Sequence, residues 1–137
     1  MPEQTFTNLS AKAAALYALN RGDSYPAPLY DAILSYTLPH STSSFASTTK
    51  SLILDVGTGP GKVLYNLLPF FDAGLGTDSS QGMIEAAKAD ERHDQAITVG
   101  KDVRFEICCA EDVATLDGVQ GSVDLIVCAM AVSPCLH

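Results

Sequence analysis

A chain of 137 residues with a hydrophobic fraction of 47% suits one domain with its own core. Its net charge of −8, with Lys and Arg scattered and no basic stripe, argues against nucleic acid as a partner. No apolar run spans a bilayer, residues 1–20 lack a signal-peptide core, and the four cysteines form no C-x-x-C or His cluster, so the expectation is a cytoplasmic protein with reduced thiols, no membrane segment and no metal.

Residues 9–20 are Ala-rich, with Leu9, Leu16, Tyr17 and Leu19 as a partial apolar face, and read as a helix. Pro26 and Pro28 stop it. A second helix is expected from Pro28 to Tyr36, with Pro in its first turn and Leu29, Ile33 and Leu34 on its apolar side. The polar, low-complexity stretch 41–51 reads as a joint. It divides an N-terminal helical part (1–49) from a core (50–137). No internal repeat is visible.

The most informative stretch is Leu52-Ile53-Leu54-Asp55-Val56-Gly57-Thr58-Gly59-Pro60-Gly61. An apolar strand runs into three glycines at alternate positions, and Val63, Leu64, Leu67 and Leu68 follow at helical spacing. Strand, Gly turn and helix open a nucleotide-binding βαβ unit. The dinucleotide pattern G-x-G-x-x-G is not met, because Lys62 stands at its last glycine. A P-loop is not met either. The glycines are one residue too close, and Val63 stands where a magnesium-binding hydroxyl belongs.

Gly74 to Asp78 forms a short strand ending in a carboxylate, 23 residues beyond Asp55. That is close to the spacing of a ribose-binding acid on a second strand. Asp78 has a competing role as a helix cap, which Ser79 or Ser80 fills equally well ahead of Met83, Ile84 and Ala87. The polar stretch around Glu91–Gln95 and Gly100 reads as a surface loop. A third strand is expected over Val103–Cys109, which puts the side chains of Cys108 and Cys109 on opposite faces. Ala110-Glu111-Asp112 follows it. A fourth strand, Ser122–Val132, opens on Asp124 and is apolar throughout, as for a strand buried on both faces.

The order Asp-x-Gly-x-Gly-x-Gly, Asp78, Ala110-Glu111-Asp112 and the strand led by Asp124 resembles the class I S-adenosylmethionine-dependent methyltransferases. The resemblance is greatest to the small-molecule branch that includes the trans-aconitate methyltransferases. There a Gly-Ser-Val-Asp-Leu-Ile-like segment also follows the Ala-Glu-Asp turn. Arg21-Gly22-Asp23-Ser24-Tyr25-Pro26 is similar to the Arg-x-x-Tyr-Pro segment of many relatives, with one residue more. After Val132 the resemblance stops, for Ser133 and Pro134 stand where His and Trp are usual.

The resemblance implies an α/β, Rossmann-like parallel sheet of which this chain supplies four strands, under an N-terminal helical lid. It implies S-adenosylmethionine as cofactor and methyl transfer to a small molecule with a carboxylate or hydroxyl acceptor. It further implies that Asp55 and the Gly57, Thr58, Gly59 and Gly61 backbone hold the methionine moiety. Asp78, with Ser79 and Met83 beside it, holds the ribose. Ala110 and either Glu111 or Asp112 meet adenine, and Arg21 meets the cofactor carboxylate. No residue is assigned as catalytic. An apolar fourth strand at a sheet edge invites pairing, so a truncated family member, a second copy or partner over that strand, and a non-catalytic binding scaffold or one running a different reaction all stand as expectations.

Overall fold

The computed structural model describes residues 25–37 and 51–129, together with Ser10, Lys12, Ala13 and Leu16. Lys12, Ala13 and Leu16 are helical, and Ser10 Oγ accepts the Ala13 N–H at 3.2 Å. The rest of the expected first helix with its Tyr17, the following Arg21, most of the joint and the tail from Met130 lie outside the described residues.

Helix α1 (Ala27–Thr37) follows Pro26. It docks through buried Leu34 and through Tyr30, whose hydroxyl accepts the Asn66 amide at 3.1 Å. Leu29, expected on the apolar side, is 42% exposed, because the docked face is set by Tyr30 and Leu34.

The core alternates strand and helix: β1 (Leu52–Val56), α2 (Lys62–Leu67), β2 (Ala73–Asp78), α3 (Gln81–Ala89), α4 (Glu91–Thr98), β3 (Asp102–Ile107) and β4 (Leu125–Val127). The strands form one parallel sheet in the order β3-β2-β1-β4. Parallel neighbours require crossovers, and helices on the sheet supply them.

Alternation along each strand assigns the two faces. One face presents Ile53, Val103 and Phe105 to Leu64 and Leu67 of α2, Ile84 and Ala87 of α3, and Ala96 of α4. The other presents Leu54 and Leu75 to Val113 and Val119. Three expectations are corrected here. The Glu91–Gln95 stretch is helical, not a loop. Asp90 caps α4 by accepting the Arg92 N–H at 2.9 Å, and Glu91 and Asp94 favour the positive end of its dipole.

Strand β3 stops at Ile107, so Cys108 and Cys109 are not paired strand residues. The Cys108 N–H instead donates to the Asp78 carbonyl at 2.9 Å, and a short 3-10 turn, Ala110–Thr115, follows. Cys108 and Cys128 are free thiols.

Strand β4 spans three residues and is not buried on both faces. Leu125 and Val127 pack on the helix-covered side, while Ile126, opposite Leu54, is 62% exposed. Its start is nonetheless fixed: Asp124 Oδ2 accepts the Leu52 N–H at 2.7 Å and the Asp124 N–H donates to the Leu52 carbonyl at 2.9 Å.

Candidate functional site

The carboxyl ends of the parallel strands gather four segments. These are the turn Gly57–Gly61 after β1, Asp78–Ser80 after β2, Cys108–Asp112 after β3, and Cys128–Ala129 after β4. The strand order reverses beside β1, and open α/β sheets bind ligands in the crevice at that point.

The turn is held from two sides. The Thr58 N–H donates to the Thr77 carbonyl at 2.8 Å, hooking the turn onto β2, and the Gly61 N–H returns to the Thr58 carbonyl at 3.0 Å. Gly61 has φ 85°, and a Cβ there meets Tyr65 at 3.0 Å and Phe105 at 3.3 Å. Gly59 has φ 56°, but a Cβ there finds nothing within 4 Å. One glycine is therefore walled in by the core, and the other opens outward. At Gly59 the backbone can meet a ligand directly.

Asp78 is central to the rim. Its Oδ2 accepts the Gly59 N–H at 2.9 Å, and its Oδ1 accepts the Ser80 N–H at 2.9 Å. Two backbone donors fix the carboxylate, and each oxygen keeps a lone pair for a ligand hydroxyl. The capping question is also resolved. Ser80 Oγ accepts the Met83 N–H at 3.3 Å, which leaves Asp78 free of that role and Ser79 half-buried beside it. Met83 is 3% exposed.

Asp55 is the residue expected to hold the methionine moiety together with the turn backbone. It is 1% exposed and lies beneath the turn, where its Oδ2 accepts the Thr58 hydroxyl at 2.8 Å. Burial pushes its carboxyl up to about 7, and Asp78 adds to the rise. The Thr58 hydrogen bond and the Leu64 N–H oppose it. Gly76 makes room for this arrangement, because a Cβ there falls 2.9 Å from Thr58 Oγ1 and 2.7 Å from Phe105.

Beyond β3, Ala110 is half-buried while Glu111 and Asp112 are both exposed on the 3-10 turn, so the structure does not choose between them. Two cysteines near the site were given no site role in the sequence. Cys108 is pushed up by burial and by Asp112, Glu106 and Glu111, which keeps it a neutral thiol. Cys128, exposed just after β4, is raised by burial and by Asp55. Only the β1–β4 register reveals that neighbour. Arg21 lies outside the described residues. Among the described residues no group of His, Cys, Asp and Glu is arranged to hold a metal, and no helix is long and apolar enough to cross a membrane.

Residues 53–136 match the methyltransferase domain family. The chain belongs to that family. A similar curated protein is the probable S-adenosylmethionine-dependent methyltransferase CRG1 of Saccharomyces cerevisiae, 28% identical over 135 residues, which cover 98% of this chain and 41% of that protein. This methyltransferase-domain chain thus spans well under half the length of that relative.

Two solved structures share the fold. A methyltransferase from Thiobacillus denitrificans, in complex with S-adenosyl-L-homocysteine, superposes with a TM-score of 0.55 at 23% identity, over 90% of this chain and 45% of that one. One from Clostridium acetobutylicum superposes with a TM-score of 0.51 at 21% identity, over 85% and 42%. The Rossmann-like expectation holds, with four strands among the described residues.

Proposed function

We propose that this methyltransferase domain binds S-adenosylmethionine at the carboxyl ends of β1–β3 and serves methyl transfer to a small-molecule acceptor. The observation that carries the reading is Asp78, a carboxylate locked by the Gly59 and Ser80 N–H groups beside a glycine with open space above it. Such a carboxylate accepts the paired hydroxyls of a ribose, and the charge strengthens each bond.

The rim suits this cofactor and not a phosphate. Asp78, Glu111 and Asp112 are acids, the chain carries −8 overall, and a cationic ligand is favoured where a polyanion is repelled. Bound there, the cofactor supplies a methyl group activated by a sulfonium charge. The chain's own work is alignment and exclusion of water. Gly57–Gly61 offers backbone to the methionine moiety, with Asp55 supporting it from below. Asp78 with Ser79 orients the ribose, and Ala110 with Glu111 or Asp112 borders the adenine. The neutral Cys108 thiol is a wall rather than a nucleophile.

The acceptor belongs to the carboxylate or hydroxyl class, as in the trans-aconitate branch that the Ser122–Ile126 segment resembles. Residues 1–49 form a lid over the core at 50–137, with Arg21 reaching the cofactor carboxylate.

Titration of S-adenosylhomocysteine into the chain by calorimetry tests the reading. Saturable binding that is lost in Asp78→Ala supports it, and absence of binding by folded wild type overturns it. A second reading, a scaffold that binds cofactor without turnover and is completed by a second copy or partner over β4, is favoured by exposed Ile126. Binding without methyl transfer to any acceptor selects it.

A further inference from the structure

The Asp55 carboxylate does not reach the rim, yet it is bonded to the segment that forms the rim. Its contacts run in one line. Asp55 Oδ2 holds the Thr58 hydroxyl at 2.8 Å, Thr58 is anchored to β2 through its own N–H, and the next residue, Gly59, donates to Asp78 at 2.9 Å. The side chain beneath the turn and the carboxylate on the rim are therefore joined by two residues of backbone. Among the described residues, the titratable groups that face Asp55 are Asp78 from the end of β2 and Cys128 after β4, while α2 contributes the Leu64 N–H.

We infer that Asp55 is a positioning residue that acts through Thr58, and that its protonation loosens the Gly59–Asp78 rim and lowers affinity for an adenosyl ligand. The inference rests on the adenosyl-binding reading above and deepens it into regulation by pH. An ionised carboxylate is about twice as strong an acceptor as a neutral one, so the Thr58 hydroxyl is held most firmly when Asp55 is charged. The buried anion also favours a ligand bearing an ammonium or sulfonium group, because it acts through a medium of low dielectric. Protonation removes both effects. The burial that pushes this carboxyl up to about 7 places the change in the neutral range.

Two measurements on the full chain test the inference, one without ligand. In a nitrogen-15 labelled sample, the Gly59 amide resonance is followed across the neutral range. It shifts with a single neutral-range titration in wild type, shows none in Asp55→Asn, and shows a reduced one in Thr58→Val. Calorimetric titration with S-adenosylhomocysteine then gives an affinity that falls about tenfold from pH 8 to pH 6 in wild type, the fall in the ionised fraction, and a flat profile in Asp55→Asn. A Gly59 amide insensitive to neutral pH in wild type overturns the inference, and so does a pH slope that survives in Asp55→Asn. If the amide titrates with Asp55 but S-adenosylhomocysteine binds at no pH, the coupling of Asp55 to the rim stands and the adenosyl reading falls. Should Asp55→Asn fail to fold, wild type and Thr58→Val carry the same comparison.

Discussion

Replacing Gly76 by Ala tests whether the space beneath the turn is what the turn depends on. The added Cβ arrives 2.7 Å from Phe105 Cδ1 and Cε1 and 2.9 Å from Thr58 Oγ1. All three residues are buried. Phe105 cannot retreat freely, because its ring packs on Tyr65 at 5.7 Å between centroids. Overpacking of this kind costs about 1–3 kcal/mol. If Thr58 moves instead, Asp55 loses the hydroxyl it accepts, and a buried acceptor without its partner costs about 1–3 kcal/mol. The expected loss is thus about 1–3 kcal/mol by either route alone and about 2–6 kcal/mol if both act. At about 1–3 kcal/mol per molar urea, that lowers the unfolding midpoint by about 1 M or more. The control is Gly59→Ala, where nothing lies within 4 Å and only φ 56° is at stake, a strain of about 1–2 kcal/mol. A Gly76→Ala chain with the wild-type urea midpoint refutes the argument. So does a Gly59→Ala chain less stable than Gly76→Ala.

Asp55→Asn alters the pH dependence of stability. Because the folded carboxyl is raised from 3.8 to about 7, its contribution is present below the unfolded value and is lost as pH rises through about 7. Wild type therefore loses about 2 kcal/mol relative to Asp55→Asn between pH 5.5 and 8, at about 1.4 kcal/mol per pH unit. Urea unfolding at the two pH values reads the difference, and a relative gain by wild type contradicts it. Tyr65→Phe removes the hydroxyl that donates to the buried Ala87 carbonyl at 2.6 Å. A fall of about 1–3 kcal/mol is expected in thermal melting, and an unchanged melting temperature tells against the bond. Ile126→Lys places a charge at a 62% exposed position. Stability should stay within about 0.5 kcal/mol, and sedimentation should show lost self-association if a second copy covers β4. A marked drop in melting temperature means that Ile126 is covered within the chain.

The glycine turn was legible because its constraint is local. Alternate glycines after an apolar strand admit few other structures, and Asp78 follows at a spacing set by one βαβ unit. The direction in which Asp55 works was not legible. A carboxylate before a glycine turn reads as a ligand contact, and only the absent Cβ of Gly76 and the Thr58 hydroxyl show that it points under the turn. Helix α4 was missed because Ala96 is its one buried residue, too little for a periodic signal. Its cap, Asp90, was the available clue. The extent of β4 was overstated for the opposite reason. Apolar content marks a segment able to be buried, but burial depends on what lies over the sheet.

The site and the open strand belong to different parts of the structure. The hydrogen bonds that tie the turn to the sheet come from β1 and β2. These are the Thr58 hydroxyl to Asp55, the Thr58 N–H to Thr77 and the Gly59 N–H to Asp78. The helices behind them are closed by Tyr65, which reaches Ala87 and carries the Arg92 guanidinium 4.9 Å above its ring. Strand β4 is tied to β1 at its start through Asp124, and among the described residues it meets the site at its end, where Val127 pairs with Asp55. Cofactor binding and the covering of β4 are therefore separable. A charge at Ile126 alters association while the Asp78 rim remains intact, whereas a change at Gly76 disturbs the rim without touching the open face. An acceptor that needs a wall beyond β4 will depend on both.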